Sequence, residues 1–271
     1  MTTATALSHP IRTGSPMTAA ADLLHAAGPN LDPRACALFL DVDGTLLDIA
    51  PRPDAVQVPD GLVADLDALR RAGSGALALV SGRAVAVLDA LFAPLRLPAM
   101  GGHGTQMRLE PDAAIEAETL IDARLADALR HLPARLPGVL AEDKGTAFAL
   151  HYRARPDAGP ALRKAIAEAL EDARGLDILD GHFVFEVKPA AIDKGTAVAA
   201  AMARAPFAGR HPVFIGDDVT DEFAFRAVNA LGGTAIAVGR MRPGARFVLP
   251  GPAAVRALIA RLAAGPSQHR R

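Results

Sequence analysis

The chain has a single cysteine, one tyrosine and no tryptophan, and its charges nearly cancel: 29 lysines and arginines face 30 aspartates and glutamates, a formal net charge of −1 over 271 residues. One cysteine, Cys36, excludes an intramolecular disulfide and any zinc site built on clustered thiolates, and it suits a reducing cytoplasm. Balanced charge gives no field that would hold nucleic acid or an anionic membrane surface, so neither is expected as a partner. Long apolar runs are also missing. No stretch reaches the roughly 18 to 20 residues a spanning helix needs, and Met1–Asn30 lacks the uninterrupted apolar segment of a signal peptide. Neither a glycine-rich Walker loop nor a Gly-x-Ser-x-Gly elbow occurs, which removes the usual sequence support for P-loop nucleotide hydrolysis and for serine esterase chemistry. The scarcity of aromatics excludes nothing, and 51% apolar residues are ample for a packed core.

What is present alternates. Residues 1–34, rich in proline and glycine around a short helix-like stretch Thr18–Ala27, read as a flexible leader. Ala37–Leu40 is an apolar run ending in Asp41, as expected of a strand buried on both faces of a parallel sheet. Helical spacing over Asp60–Arg71, an apolar run Ala76–Val80, a helix over Ala84–Phe92 and a short strand before Gly101–Gly104 continue a βαβ rhythm. After Thr105 the pattern changes to helix, two strands, a long helix and two strands, as in an α+β module with an antiparallel sheet. The first pattern resumes with a helix capped by Asp193, a strand Val213–Ile215, a helix opened by Thr220, a strand Thr234–Val238 and a helix Pro252–Leu262. The expected organisation is an α/β core of residues 35–107 and 189–264, an inserted α+β module of 108–188, and a disordered tail of 265–271.

Three constellations carry chemistry. Asp41-Val42-Asp43-Gly44-Thr45 stands at the carboxyl end of the first strand, where open α/β sheets bind ligands. Within a strand the two acids would face opposite ways, but the turn released by Gly44 can bring both toward one crevice. An isolated Asp-Gly pair would read only as a turn. Gly216-Asp217-Asp218-Val219-Thr220-Asp221-Glu222 crowds four acids after a second buried strand, a costly arrangement without a cation. Magnesium is the hard ion such carboxylates suit, with Asp41 and Asp217 meeting across the sheet. Asp221 and Glu222 also fit a plain first helical turn, where acids favour the dipole. Ser81-Gly82-Arg83 and Asp193-Lys194-Gly195 begin helices, and a hydroxyl, free backbone donors and an ammonium are what a charged phosphoryl group requires. Taken singly, Ser81 reads as an N-cap and Lys194 as a solvated lysine. Lys188 competes with Lys194 for the same role, Cys36 reads as a packed thiol, and His151 and Tyr152 read as packing at a strand end.

Asp-x-Asp-Gly-Thr, Ser-Gly-Arg, a lysine and Gly-Asp-Asp-x-Thr-Asp-Glu, in that order, resemble the four motifs of haloacid dehalogenase superfamily phosphatases. That resemblance implies a Rossmann-like core with a parallel sheet and an inserted α+β cap of the C2B type. The cap is similar to those of trehalose-6-phosphate, sucrose-phosphate and mannosyl-3-phosphoglycerate phosphatases, and Gly101-Gly102-His103-Gly104 together with the fourth motif most resembles the trehalose-6-phosphate branch. The implied chemistry is magnesium-dependent hydrolysis of a sugar phosphate through an aspartyl phosphate. Asp41 would be the nucleophile, Asp43 the acid and base, and Ser81 and Lys194 the phosphate-binding pair, while Asp41, Asp43, Asp217 and Asp218 would form the metal set. Gly44, Thr45, Gly82, Arg83, His103, Glu142, Lys144, Arg153, His182 and Glu186 would contact substrate, with His182 standing where relatives often carry lysine. A cytoplasmic enzyme functionally associated with a trehalose-6-phosphate synthase is the corresponding expectation. A different sugar phosphate, a phosphotransferase or a non-catalytic sensor of sugar phosphates remain the alternatives.

Overall fold

A computed structural model describes residues 16–27, 31–50, 55–117, 119, 121–181 and 183–265. Strand β1 (Cys36–Leu40) shows why the first apolar run is unbroken: Cys36, Leu38 and Leu40 enter one hydrophobic cluster, and Ala37 and Phe39 enter another on the opposite face. A strand covered on both sides has no position for a polar side chain until it ends. The same division holds in β2 (Leu77–Val80) and β10 (His211–Gly216), the two parallel neighbours of β1.

Among the described residues one eight-stranded sheet takes the order β12-β11-β10-β1-β2-β3-β4-β5, completed by β3 (Ala99–Gly101), β4 (Gln106–Arg108), β5 (Glu116–Ala117), β11 (Thr234–Val238) and β12 (Phe247–Leu249). Strands β1, β2, β3, β10, β11 and β12 are parallel, and β4 and β5 add an antiparallel edge. Helices α2 (Leu62–Ala72), α3 (Val85–Leu91) and α9 (Pro252–Ala264) cover one face, and α7 (Lys194–Met202) and α8 (Asp221–Ala230) cover the other. Successive strands are laid outward from β1 in one direction and from β10 in the other, so the sheet's switch point falls between these two.

A second sheet, β6 (Leu140–Asp143), β7 (Phe148–His151), β9 (Val184–Pro189) and β8 (Leu176–Gly181), is antiparallel throughout. Phe148, Leu150, Phe185 and Val187 pack it on α4 (Ala123–Arg130), the short α5 (Leu132–Arg135) and α6 (Gly159–Ala169), a core separate from the other two. Its other face carries Glu142, Ala149 and Glu186 in one cross-strand row. Alternation therefore separates an oily side from a charged one.

Two boundaries differ from expectation. The supposed loose leader contains α1 (Pro16–Ala27), whose Ala19, Ala20 and Leu23 are fully buried in the cluster that includes α9. Small side chains on one helix face permit this close seat, and Arg210 secures the entry to β1 by donating to the carbonyls of Pro33, Arg34 and Cys36 at 3.4, 3.1 and 3.5 Å. The inserted module also begins later than residue 108. Arg108 is buried in the large sheet, donates to both oxygens of Asp89 at 2.6 Å and to the Leu97 carbonyl at 2.9 Å, and so ties β4 to α3. Residues 1–15, 28–30 and 266–271 of the expected leader and tail lie outside the described residues.

Candidate active site

The switch point brings the first and fourth motifs together because β1 and β10 are direct neighbours, with Leu40 opposite Ile215 and the Asp41 amide bonded to the Ile215 carbonyl at 2.9 Å. Carboxylate oxygens of Asp41, Asp217 and Asp221 all lie within 4.8 Å of one another. Lys194, fixed at the first position of α7 by an Asp193–Thr196 capping box, sends its ammonium to Asp41 Oδ1 at 2.7 Å and Asp221 Oδ1 at 2.6 Å. Burial alone would discharge this lysine, but the two carboxylates outweigh it and hold the ammonium charged. The competing Lys188 is spent on main-chain carbonyls, those of Pro189 at 3.2 Å and Ile192.

One ammonium does not balance three carboxylates. Burial pushes the Asp41 carboxyl well above the ordinary range, the Asp221 and Asp217 charges add to this, and Lys194 offsets only part. Asp217 is raised by burial and by Asp221, against a hydrogen bond of 3.1 Å from Thr45 Oγ1. An all-oxygen donor set short of positive charge is the chemistry of a hard divalent cation, and the residues present fit one. Gly44 is required here: its φ is +83°, and a Cβ would lie 2.3 Å from Asp217 Oδ2.

Asp218 behaves differently from the expectation that it joins the metal set. Its carboxylate is 62% exposed, accepts from the Val219 amide at 2.7 Å and faces Arg242 at 3.6 Å. Asp221 stands in the cluster instead, also accepting from the Asp218 amide at 2.9 Å. Sequence reasoning left Asp221 as one of two first-turn acids; only the lysine reaching it from 27 residues away separates it from Glu222. Asp43 is engaged by Arg83, whose Nε and Nη2 donate to its two oxygens at 2.6 and 2.7 Å. Ser81 is not a helix cap: α3 begins after Ala84, and the buried Ser81 hydroxyl accepts from the Arg83 amide at 3.2 Å.

A cleft of about 670 Å³ opens over these groups, with Asp41, Asp43, Ser81, Arg83 and Lys194 at its floor. Its other wall comes from the small sheet, where Glu142, Lys144, His151 and Arg153 line it. His151, read from the sequence as packing at a strand end, lines the cleft instead. It sits two positions from Ala149 on the charged face, and its Nε2 meets Glu142 Oε2 at 2.9 Å. Glu186 lies deeper, 3.2 Å from the Lys144 ammonium and 3.5 Å from His103 Nε2. Burial raises its pKa, but His103 and Lys144 outweigh that and bring it to about 2. His103 also explains a glycine: a Cβ on Gly82 would lie 2.5 Å from His103 Nε2. Thr105 and Thr146 join the sheets with a 2.6 Å hydroxyl contact, and Gln106 reaches the Lys144 carbonyl at 3.4 Å. Of the expected residues, Asp41, Asp43, Ser81, Gly82, Arg83, His103, Glu142, Lys144, Arg153, Lys194 and the largely exposed Asp218 line one cleft. Thr45 and Asp217 sit beside its floor, Gly44 against Asp217, Glu186 behind its wall, and His182 lies outside the described residues.

With this geometry established, comparison with known proteins is specific. The trehalose-phosphatase family model matches residues 39–246. A probable trehalose-phosphate phosphatase of Sinorhizobium fredii is 47% identical over 248 residues, covering 89% of this chain and 92% of that one. The trehalose-6-phosphate phosphatase of Escherichia coli is 44% identical over 206 residues, covering 75% and 77%. The C-terminal domain of the C. albicans trehalose-6-phosphate phosphatase superposes with a TM-score of 0.73 over 94% of this chain and 98% of its own, at 23% identity, a likeness of fold.

Proposed function

The chain belongs to the trehalose-phosphatase family, and on that premise we propose that it hydrolyses trehalose 6-phosphate to trehalose and inorganic phosphate. The observation that carries this reading is the convergence of Asp41, Asp217 and Lys194 beneath a polar wall supplied by the inserted module. In the proposed sequence the Asp41 carboxylate attacks phosphorus and the P–O bond to the sugar breaks. Asp43 gives its proton to the departing sugar oxygen, leaving an aspartyl phosphate on Asp41. Asp43 then takes a proton from water, whose oxygen attacks the same phosphorus and releases Asp41 and phosphate. Before substrate enters, Arg83 holds the Asp43 carboxylate through both its oxygens, so Asp43 must leave this pair and take up a proton from solvent before it serves as the acid. Lys194 aims the nucleophile, and Ser81 and Lys194 receive the charged phosphoryl oxygens.

Magnesium is the proposed cation, held by the Asp41 and Asp217 carboxylates and the Asp43 carbonyl; when bound it supplies positive charge against the phosphoryl oxygens. The disaccharide is read by Glu142, Lys144, Arg153 and Glu186, with His151 orienting Glu142. Hydroxyl-rich ligands suit such a wall, because every donor and acceptor can be matched. A cytoplasmic place beside a trehalose-6-phosphate synthase follows from the substrate.

Two measurements test the proposal. Asp41→Asn should lower kcat by about 10⁴-fold or more, because an essential nucleophile is lost. On a panel of sugar phosphates with magnesium, kcat/KM should be highest for trehalose 6-phosphate. Faster turnover of sucrose 6-phosphate would move the enzyme to another branch, and stimulation by an added acceptor sugar would make it a phosphotransferase.

A further inference from the structure

Arg242 belongs to none of the motifs and lies 25 residues beyond Asp217, in the loop between β11 and β12, yet its guanidinium lies against the acidic loop. Its Nε donates to the Asp217 carbonyl at 2.8 Å, its Nη1 lies 3.5 Å from Glu222 Oε1 and its Nη2 lies 3.6 Å from Asp218 Oδ1. The Arg242 side chain is only 10% exposed and Glu222 18%, so that contact forms largely away from water, while the Asp218 carboxylate stays in solvent. The loop that carries it is itself anchored. Asn229 of α8 donates to the Gly244 carbonyl at 2.7 Å, and the Arg246 amide bonds to Ala235 of β11 at 2.8 Å.

We propose that Arg242 is a positioning residue for the cation site, holding the main chain at Asp217 so that its carboxylate faces Asp41 and Asp221. Four acids in residues 217–222 repel one another, and a loop under that repulsion tends to splay. Arg242 opposes this at three points: it pins one carbonyl and draws two outward acids, Asp218 and Glu222, away from the inward pair, Asp217 and Asp221. A rigid, forked donor suits the task; a lysine carries the same charge on one atom and cannot serve three acceptors in one plane. The inference rests on the proposed magnesium site.

The test is calorimetric titration of magnesium chloride into the phosphate-free protein, wild type beside Arg242→Lys and Arg242→Met, with far-UV spectra to confirm folding. Positioning predicts that both variants bind magnesium roughly tenfold more weakly, as is usual when a group orienting a metal ligand is lost. A second readout is the magnesium-induced rise in Tm, expected to shrink in both. If Arg242 acted only as a charge, the methionine variant would bind the cation more tightly and the lysine variant would match wild type, and the proposal would fail. Wild-type affinity in both variants would also overturn it. Absence of magnesium binding in the wild type would instead sink the metal site itself, so the two failures are distinguishable.

Discussion

The large sheet and the small one place their candidate site residues by opposite rules. In β1 and β10 every inner position is buried on one face or the other, so chemistry is confined to the strand ends, where Asp41 and Asp217 emerge. In the small sheet the described helices pack on one face, and the residues proposed to read the sugar stand on the other, within the strands at alternate positions: Glu142 on β6, His151 on β7, Glu186 on β9. Ala149 lies between the two glutamates in the row, of which Glu142 lines the cleft and Glu186 is buried against Lys144 and His103. Under the proposed function, a doubly covered parallel sheet makes a compact reaction centre, whereas a half-covered antiparallel sheet makes a broad recognition wall.

If the reaction centre and the wall are energetically distinct, substitutions should divide between them. The largest effect belongs to the first. Lys194→Met leaves Asp41 and Asp221 buried without their cation, which should cost about 3–5 kcal/mol in urea unfolding and abolish turnover of every phosphate ester. Loss of trehalose 6-phosphate turnover alone would contradict the division.

Next comes Glu186, where the two sheets meet. Its pKa of about 2 lies below the ordinary 4.5, so the unfolded chain takes up the proton first as pH falls. The contribution is complete above about pH 4.5 and vanishes toward pH 2, worth about 3 kcal/mol by linkage. Glu186→Gln should flatten the stability profile in that window; an unchanged profile would show that His103 and Lys144 hold the carboxylate only loosely.

A smaller effect is expected on the wall. Glu142→Gln weakens a charge-assisted contact with His151 and should raise KM for trehalose 6-phosphate about tenfold, with kcat little changed. Because p-nitrophenyl phosphate has no sugar, its hydrolysis should not respond, and an equal loss on both substrates would place Glu142 in the chemistry. The smallest effect lies in the large core. Burial raises the Cys36 thiol to about 12, so the unfolded thiol ionises first and stability declines as pH rises from about 9 toward 12, by about 1.4 kcal/mol at pH 10. Cys36→Ala should remove that alkaline slope, and in the native wild type the thiol should resist iodoacetamide.

Much of this was legible because the relevant patterns are local. The βαβ rhythm, the change after Thr105, the Asp193 cap and the acids at both strand ends follow from spacing over a few residues. The short strands β4, β5 and β12 were not, since two or three residues show no periodicity and their pairing is set by the neighbouring strand. The helix α1 escaped notice as a packed element because its partner, α9, lies at the far end of the chain.

By itself the sequence determined the α/β core with its insertion and the strand-end acids, because strand ends are the points at which a buried run must first meet polar surroundings. Only the tertiary structure decided which acids share a site. Asp218 and Asp221 are near neighbours in the chain, yet one turns to solvent and the other to Lys194; Arg242 and His151, unremarkable in sequence, acquire their roles from partners across the fold. The reason is electrostatic: a carboxylate's role follows from the charges within a few ångströms of it, and those are set by packing between distant segments.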